Sequence, residues 1–249
     1  GPDTTGLFTH DSGALGLKAV ITLRIISTPE YNGYLSFGFS TQEDAINAIC
    51  EIGRMEVAED AYVMDPDKTR LALAAPSDLV SDSKTLLKVM QQEKGLLRGL
   101  KAGVKLAMAG RDFIEDGCHS LHIVLGGRSR AAVDGDMEIA RGVAAKFNGK
   151  ELPNSIPKAG RADPYSNLDA VLGPDGDRWI ALNAKVAHSE AIKVSAAVEA
   201  LLARYQADFD ANGIIVSRLL TIIGNHVFSY EPVFNWHDKW LPIHHHFTS

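Results

Sequence analysis

Residues 6–26 constrain the chain more than any other stretch. Gly6-Leu7-Phe8 leads into Asp11-Ser12-Gly13-Ala14-Leu15-Gly16, and an apolar run from Leu17 to Ile26 follows, closed by Pro29-Glu30. Two glycines bracket a small residue and a leucine directly before β-branched residues. That pattern specifies a loop whose backbone comes close to something, because glycine has no Cβ and tolerates positive φ. Leu17 to Ile26 reads as a buried strand stopped by Ser27-Thr28-Pro29.

Tyr31-Asn32-Gly33 reads as a turn. Tyr34 to Ser40 then alternates, with Tyr34, Ser36 and Gly38 against Leu35, Phe37 and Phe39, as a half-buried strand does. Thr41 is placed to cap a helix whose first turn carries Glu43 and Asp44 and whose stripe is Ala45, Ile49 and Ile52. A short strand is expected over Ala61–Met64, a helix over Leu79–Leu106 and a strand over His119–Leu125. Ser129 to Phe147 reads as a helix ending at Asn148-Gly149. Leu152 to Asp175 is a polar connection rich in Pro, Gly, Asn and Asp, of a length that goes with function or mobility. Trp179–Val186 reads as a strand, Ser189–Phe209 as a helix capped by Ser189, and Ile214–Ile223 and Val227–Val233 as two strands joined at Gly224-Asn225. Strand, helix and strand units in two halves are buried most economically by an antiparallel sheet with helices on one face, an α+β fold.

The 249 residues make one large domain or two small ones. A formal charge of −6 gives no electrostatic reason to expect nucleic acid or an anionic membrane as a partner. No run approaches the roughly 18–20 apolar residues that span a bilayer. Cys50 and Cys118 form no CxxC pair, which fits a reducing compartment and a cytoplasmic protein.

The stretch Thr5-Gly6-Leu7-Phe8, Ser12-Gly13-Ala14-Leu15-Gly16, Thr22-Leu23-Arg24 and Pro29-Glu30 resembles the last segment of the FAD-binding domain of FAD-linked oxidases. These are the vanillyl-alcohol-oxidase-like flavoproteins, among them glycolate oxidase subunits and D-lactate dehydrogenases. The family pattern there is close to G-x-D-L-T-G-L-F-x-G-S-E-G-T-L-G-I-x-T-x-A-T-L-R. The resemblance implies that residues 1–30 end an FAD-binding domain and that residues 31–249 are a cap domain, ferredoxin-like and incomplete at its C-terminus, whose sheet roofs the flavin ring. It implies FAD as cofactor and a small-molecule substrate: an alcohol, phenol or 2-hydroxy acid, oxidised by hydride transfer to flavin. The electron acceptor stays open. Much of the flavin-binding half is expected to lie outside these residues, leaving this piece inactive by itself and able to self-associate through the uncovered cap sheet. The alternative is a catalytically empty α+β module that binds a ligand or a subunit.

The resemblance also carries candidate site residues. Ser12, Gly13, Ala14, Leu15, Gly16, Leu17 and Lys18 are expected to pack against FAD, with Ser12 replacing the family's usual glutamate. His226 and Tyr230, read as sharing one strand face, are candidates for taking a substrate proton. His188 lies in Ala187-His188-Ser189-Glu190, at a strand-to-helix junction where relatives carry a similar His-Ser; no G-x-S-x-G elbow supports a hydrolase. His122 is a candidate flavin tether or a packed core histidine. Glu231-Pro232-Val233-Phe234-Asn235-Trp236 resembles an aromatic stretch of some bacterial members and reads as pocket lining or core. No metal site is expected: the H-x-G-D-G-N-x-H motif of metal-dependent relatives is absent, and His244-His245-His246 are neighbours on a tail.

Overall fold

The computed structural model describes residues 5–8, 11, 13–25, 27–74, 114–163 and 177–237. A helical turn, α1 (Thr5–Phe8), precedes β1 (Tyr31–Phe39), α2 (Gln42–Arg54), β2 (Asp60–Met64) and α3 (Pro66–Ala74). Then come β3 (His119–Gly127), α4 (Arg130–Lys146), β4 (Lys150–Leu152) and α5 (Ser155–Ala162). The chain continues through β5 (Arg178–Ala181), β6 (Ala184–Ala187), a 3-10 turn at His188–Glu190, α6 (Ala191–Arg204), α7 (Gln206–Asn212), β7 (Ile215–Ile223) and β8 (Val227–Trp236).

The strands form one eight-stranded sheet in the order β4-β1-β3-β2-β7-β8-β5, with β6 also on β8, and every pairing is antiparallel. Alternation then decides what each face does. Leu35, Phe37 and Phe39 of β1, Ala61 and Val63 of β2, Leu121, Ile123 and Leu125 of β3, Leu220 and Ile222 of β7 and Phe228 of β8 point to one side. There they pack against Ala45, Ile46, Ile49 and Ile52 of α2, Val133, Ala140 and Ala144 of α4, and Ala191 of α6. Each large apolar side chain so buried contributes roughly 1.5–3 kcal/mol against conformational entropy. The α+β class and the antiparallel sheet are therefore as the sequence leads one to expect, but the helices are not confined to one face: α5 packs against β1 and β3 on the other side, with Lys158 over the Tyr34 ring.

Local chemistry explains the ends. Thr41 Oγ1 accepts the Asp44 N–H at 3.1 Å and Ser129 Oγ accepts that of Ala132 at 3.2 Å, so α2 and α4 start at hydroxyl caps. α4 comes so close to β1 that a Cβ on Gly33 would meet Val133 and Met137 at 2.7 and 2.8 Å. Gly224 (φ 57°) and Asn225 (φ 64°) reverse the chain between β7 and β8, a conformation suited to those two residue types.

Seven further expectations need correction. Residues 155–162 of the expected polar connection form α5, and the helix expected over Ser189–Phe209 is divided at Tyr205 into α6 and α7. Residues 17–25 belong to no strand of the sheet, and Leu17, Val20 and Ile25 are exposed, because the described residues offer this stretch no strand to pair with. Tyr31-Asn32-Gly33 is not a turn but the start of β1, paired with Leu125 to Gly127. Trp179–Val186 is two strands, broken at Leu182-Asn183, which flank successive halves of β8. Ser189 sits inside the 3-10 turn and caps nothing; α6 follows from Glu190 without a side-chain cap. His226 belongs to the β7–β8 turn, one residue before β8 begins. The helix expected over 79–106 lies outside the described residues.

Candidate functional site

The face of the sheet opposite α2, α4 and α6 is polar where the other is apolar. Cross-strand register lines up Ser36, His122, Tyr62, Thr221, Ser229 and Lys185 from β1 through β3, β2, β7 and β8 to β6. The adjacent row runs Gly38, Ser120, Met64, Leu219 and Glu231. Five hydroxyl side chains and an imidazole thus share one surface across the middle of the sheet.

His122 sits fully buried at its centre. Ser36 Oγ lies 2.9 Å from Nδ1 and Ser120 Oγ 3.0 Å from Nε2, so both ring nitrogens are satisfied by groups that can donate or accept. Burial pushes its pKa down to about 3, and the imidazole is neutral across the physiological range. Tyr62 packs beside it with ring centroids 5.3 Å apart. Burial, with the Asp60 carboxylate behind it, pushes the Tyr62 phenol above its ordinary range, and no hydrogen bond bears on it among the described residues. Charge enters at Asp60 and at Lys158 over the Tyr34 ring on one side, and towards β8 on the other. Burial raises the Glu231 carboxyl, while Lys68, Lys185 and a hydrogen bond from Asn183 pull it back. Burial lowers the Lys68 ammonium against the opposing effects of Glu231 and Asp65. Ser229 Oγ donates to Asn183 Oδ1 at 3.2 Å. Ser36, Ser120 and Ser229 are buried and engaged, so among the described residues the hydroxyls of this row left for a ligand are those of the half-buried Tyr62 and Thr221.

The three side chains expected to carry proton transfer do not meet there. Tyr230 is fully buried on the helix side, where its hydroxyl donates to Glu199 of α6. Glu199 also takes Arg218 Nε and Nη2, both at 2.9 Å, and Gln42 Nε2 reaches Ser195 Oγ at 2.8 Å and Tyr230 Oη at 3.4 Å. Burial raises the Tyr230 phenol, and its hydrogen bond to Glu199 raises it further. It is a donor that ties α6 to the sheet. His226 is exposed, its Nδ1 turned onto its own turn at the Gly224 carbonyl. His188 Nε2 donates to the Asn225 carbonyl at 3.0 Å, and its ring lies 3.0 Å from where a Cβ on Gly53 would be, so it wedges the end of α2 against the β7–β8 turn. Phe234 of the aromatic exit packs edge-on to Phe209 of α7 at 5.7 Å, on the helix side.

In the glycine loop, the Asp11 carboxylate accepts the Gly13 N–H at 3.2 Å and the Leu15 N–H at 3.1 Å and pairs with Lys18. The Asp11 carbonyl accepts the Ala14 N–H at 2.9 Å, and Gly16 N–H reaches the Gly13 carbonyl at 3.4 Å. Gly13 has φ 81°, and among the described residues nothing lies within 4 Å of where a Cβ on Gly13 or Gly16 would stand. Leu17 and Lys18 continue the loop into the exposed stretch, and Ser12 lies outside the described residues. The N–H groups of Gly13, Ala14, Leu15 and Gly16 are engaged within the loop.

Sequence reading missed Tyr62, Ser36 and Ser120. A signal was present in the alternation of Ser120 and His122 with Leu121 and Ile123, but only the register brings those strands beside Tyr62.

No family model and no curated protein matches the chain. Among solved structures, alkyldihydroxyacetonephosphate synthase matches over 100% of this chain with a TM-score of 0.58 and 16% identity, in two crystal forms. Substrate-bound p-cresol methylhydroxylase matches over 88% with a TM-score of 0.51 and 15% identity. The chain spans 43% of the synthase and 41% of the hydroxylase. The chain thus shares a fold with part of each of these proteins, and the resemblance read from the first thirty residues is borne out at the level of fold.

Proposed function

We propose that this chain is part of an FAD-dependent oxidoreductase that oxidises a small organic molecule, an alcohol, phenol or 2-hydroxy acid. The observation that carries the reading is the likeness in fold over the whole chain to alkyldihydroxyacetonephosphate synthase, joined to the independent likeness of residues 5–30 to the end of an FAD-binding domain. FAD, when bound, supplies the two-electron acceptor. The loop around Gly13, Ala14, Leu15, Gly16, Leu17 and Lys18 contacts it through its open Cα side, next to Ser12. The hydroxyl-rich face centred on Tyr62 and His122 roofs the ring, excludes water and orients the substrate hydroxyl. His122 stays neutral and holds Ser36 and Ser120, while Tyr62 presents the phenol left for a ligand.

An absorbance scan of the purified protein, before and after acid precipitation, tests this. For the whole flavoenzyme of which this chain is proposed to be part, bands near roughly 375 and 450 nm are expected, and colour that stays with the precipitate marks covalent flavin, whereas this chain alone is expected to be colourless. A whole protein that is colourless and takes up no added FAD would favour the second reading, a ligand- or subunit-binding module. That reading draws on the chain spanning well under half of its structural neighbours.

A further inference from the structure

One corner of the hydroxyl-bearing face carries charges that do not balance. β6 sets Lys185 opposite Ser229, and Ser229 stands opposite Thr221 of β7, so the three share a row. Glu231 lies in the next row, opposite Leu219, and is therefore diagonal to both Lys185 and Thr221, about 7–8 Å from each by ordinary antiparallel spacing. From the other side α3, which packs on β7, brings the Lys68 ammonium into range of the same carboxylate. Glu231 is held by neither lysine but by Asn183, whose Oδ1 is in turn taken by Ser229 Oγ at 3.2 Å. Among the described residues neither Lys68 nor Lys185 has a carboxylate in ion-pair contact. Asp65 is engaged elsewhere: it accepts the Lys68 backbone N–H at 2.6 Å and faces Arg218 Nη1 at 3.5 Å. Two ammoniums thus face one carboxylate, and one positive charge in this corner has no counterion. Burial already disfavours the Lys68 ammonium, and Glu231 and Asp65 do not restore it, so an anion arriving there relieves a cost that an exposed lysine does not carry. The neighbours are the half-buried Leu219 side chain and the Thr221 hydroxyl.

We propose that Lys68 and Lys185 form a subsite for a carboxylate of the substrate, with Thr221 meeting the neighbouring hydroxyl and Leu219 the apolar remainder. This rests on the oxidoreductase reading for the fate of the ligand, and it selects the 2-hydroxy acid from the three substrate classes. Simple alcohols and phenols are uncharged at neutral pH and offer these lysines no counterion. Glu231 sets the total charge: it compensates one of the two ammoniums, so the subsite takes a single negative charge and disfavours a dianion such as phosphate.

The test is an NMR titration of the purified chain, its lysines carrying ¹³C-methyl groups that keep the charge, with lactate, propane-1,2-diol and inorganic phosphate. Lys68→Arg and Lys185→Arg assign the two signals. Lactate is expected to shift both saturably, the neutral diol neither, and phosphate only at much higher concentration. Lys68→Met and Lys185→Met each weaken lactate by about tenfold or more, as loss of a charge-assisted contact does. Lys68→Arg keeps most of the affinity, and Glu231→Gln tightens both anions, phosphate more than lactate. Shifts with the diol equal to those with lactate, no shift with lactate, or unchanged lactate affinity in both methionine variants would overturn the subsite. Phosphate binding as tight as lactate would overturn its assignment to a carboxylate. None of these signals needs a flavin, so a whole enzyme that takes up no FAD, with the lactate results as expected, would instead overturn the oxidoreductase reading and keep the subsite.

Discussion

The two faces of the sheet are made from alternate residues of the same strands, yet they differ in kind. On the helix side Leu121, Ile123 and Phe37 meet α2 and α4, and the polar groups that enter are locked to one another: Arg218 to Glu199, Glu199 to Tyr230, and Gln42 to Ser195. On the opposite side Ser36, His122 and Ser120 satisfy one another, while the Tyr62 phenol carries no hydrogen bond among the described residues. One face spends its polar groups on holding the fold. The other keeps polar capacity in hand, and that asymmetry is why we place the chemistry there.

The contrast breaks most visibly at the core. Ile49→Ala removes a fully buried side chain beneath α2 and is expected to cost about 2–5 kcal/mol in denaturant unfolding. A cost well below that would mean the helix face is not the stabilising one.

His122→Leu is expected to cost about 1–3 kcal/mol, because the Ser36 and Ser120 hydroxyls lose their buried partner. It also changes the pH dependence. A histidine held neutral in the fold gives its full stability above pH 6.5, and that stability drains as pH falls towards about 3, since only the unfolded chain takes the proton. The native protein should lose up to about 1.4 kcal/mol per pH unit from this group. Urea midpoints measured from pH 7 to 4 should therefore fall less steeply in His122→Leu, and identical slopes would contradict a buried neutral imidazole.

Glu199→Gln sharpens the picture of the helix side. Burial raises the Glu199 carboxyl, but hydrogen bonds from Arg218 and Tyr230 outweigh it and leave the net value below 4.5. Its contribution is present above pH 4.5 and lost as pH falls below, a lower window than that of His122. Because the carboxylate is 36% exposed, screening limits the loss at neutral pH to about 1 kcal/mol. Acid titration of stability reads it as a missing component below pH 4.5.

Tyr62→Phe should change stability by less than about 0.5 kcal/mol, since no protein partner is lost among the described residues. Its effect belongs to the ligand: weaker substrate binding, seen as a raised KM or a smaller ligand-induced change in the flavin spectrum. A large stability loss with unchanged ligand binding would place Tyr62 with the structural residues.

Much of the helix face was legible in the sequence. Ala45, Ile49 and Ile52 recur at helical spacing behind a capping threonine, and the strands of β1, β3, β7 and β8 alternate visibly. The opposite face was legible only strand by strand, because its row is created by register between segments as far apart as Ser36 and His122. Histidine and tyrosine drew notice at 188, 226 and 230 through their neighbours in sequence, whereas a wedge beside Gly53, a hairpin turn and a bond to Glu199 are tertiary facts. Leu17 to Ile25 shows the reverse failure, since periodicity and branching describe a buried strand but cannot supply the strand that pairs with it.

Photolabelling with 8-azido-FAD, followed by peptide mapping, tests most directly whether the hydroxyl-rich face receives the cofactor. The account expects adducts on Tyr62, Thr221 or Glu231, suppressed by excess unmodified FAD. Adducts confined to α2, α4 or α6, or labelling that FAD does not suppress, would contradict it.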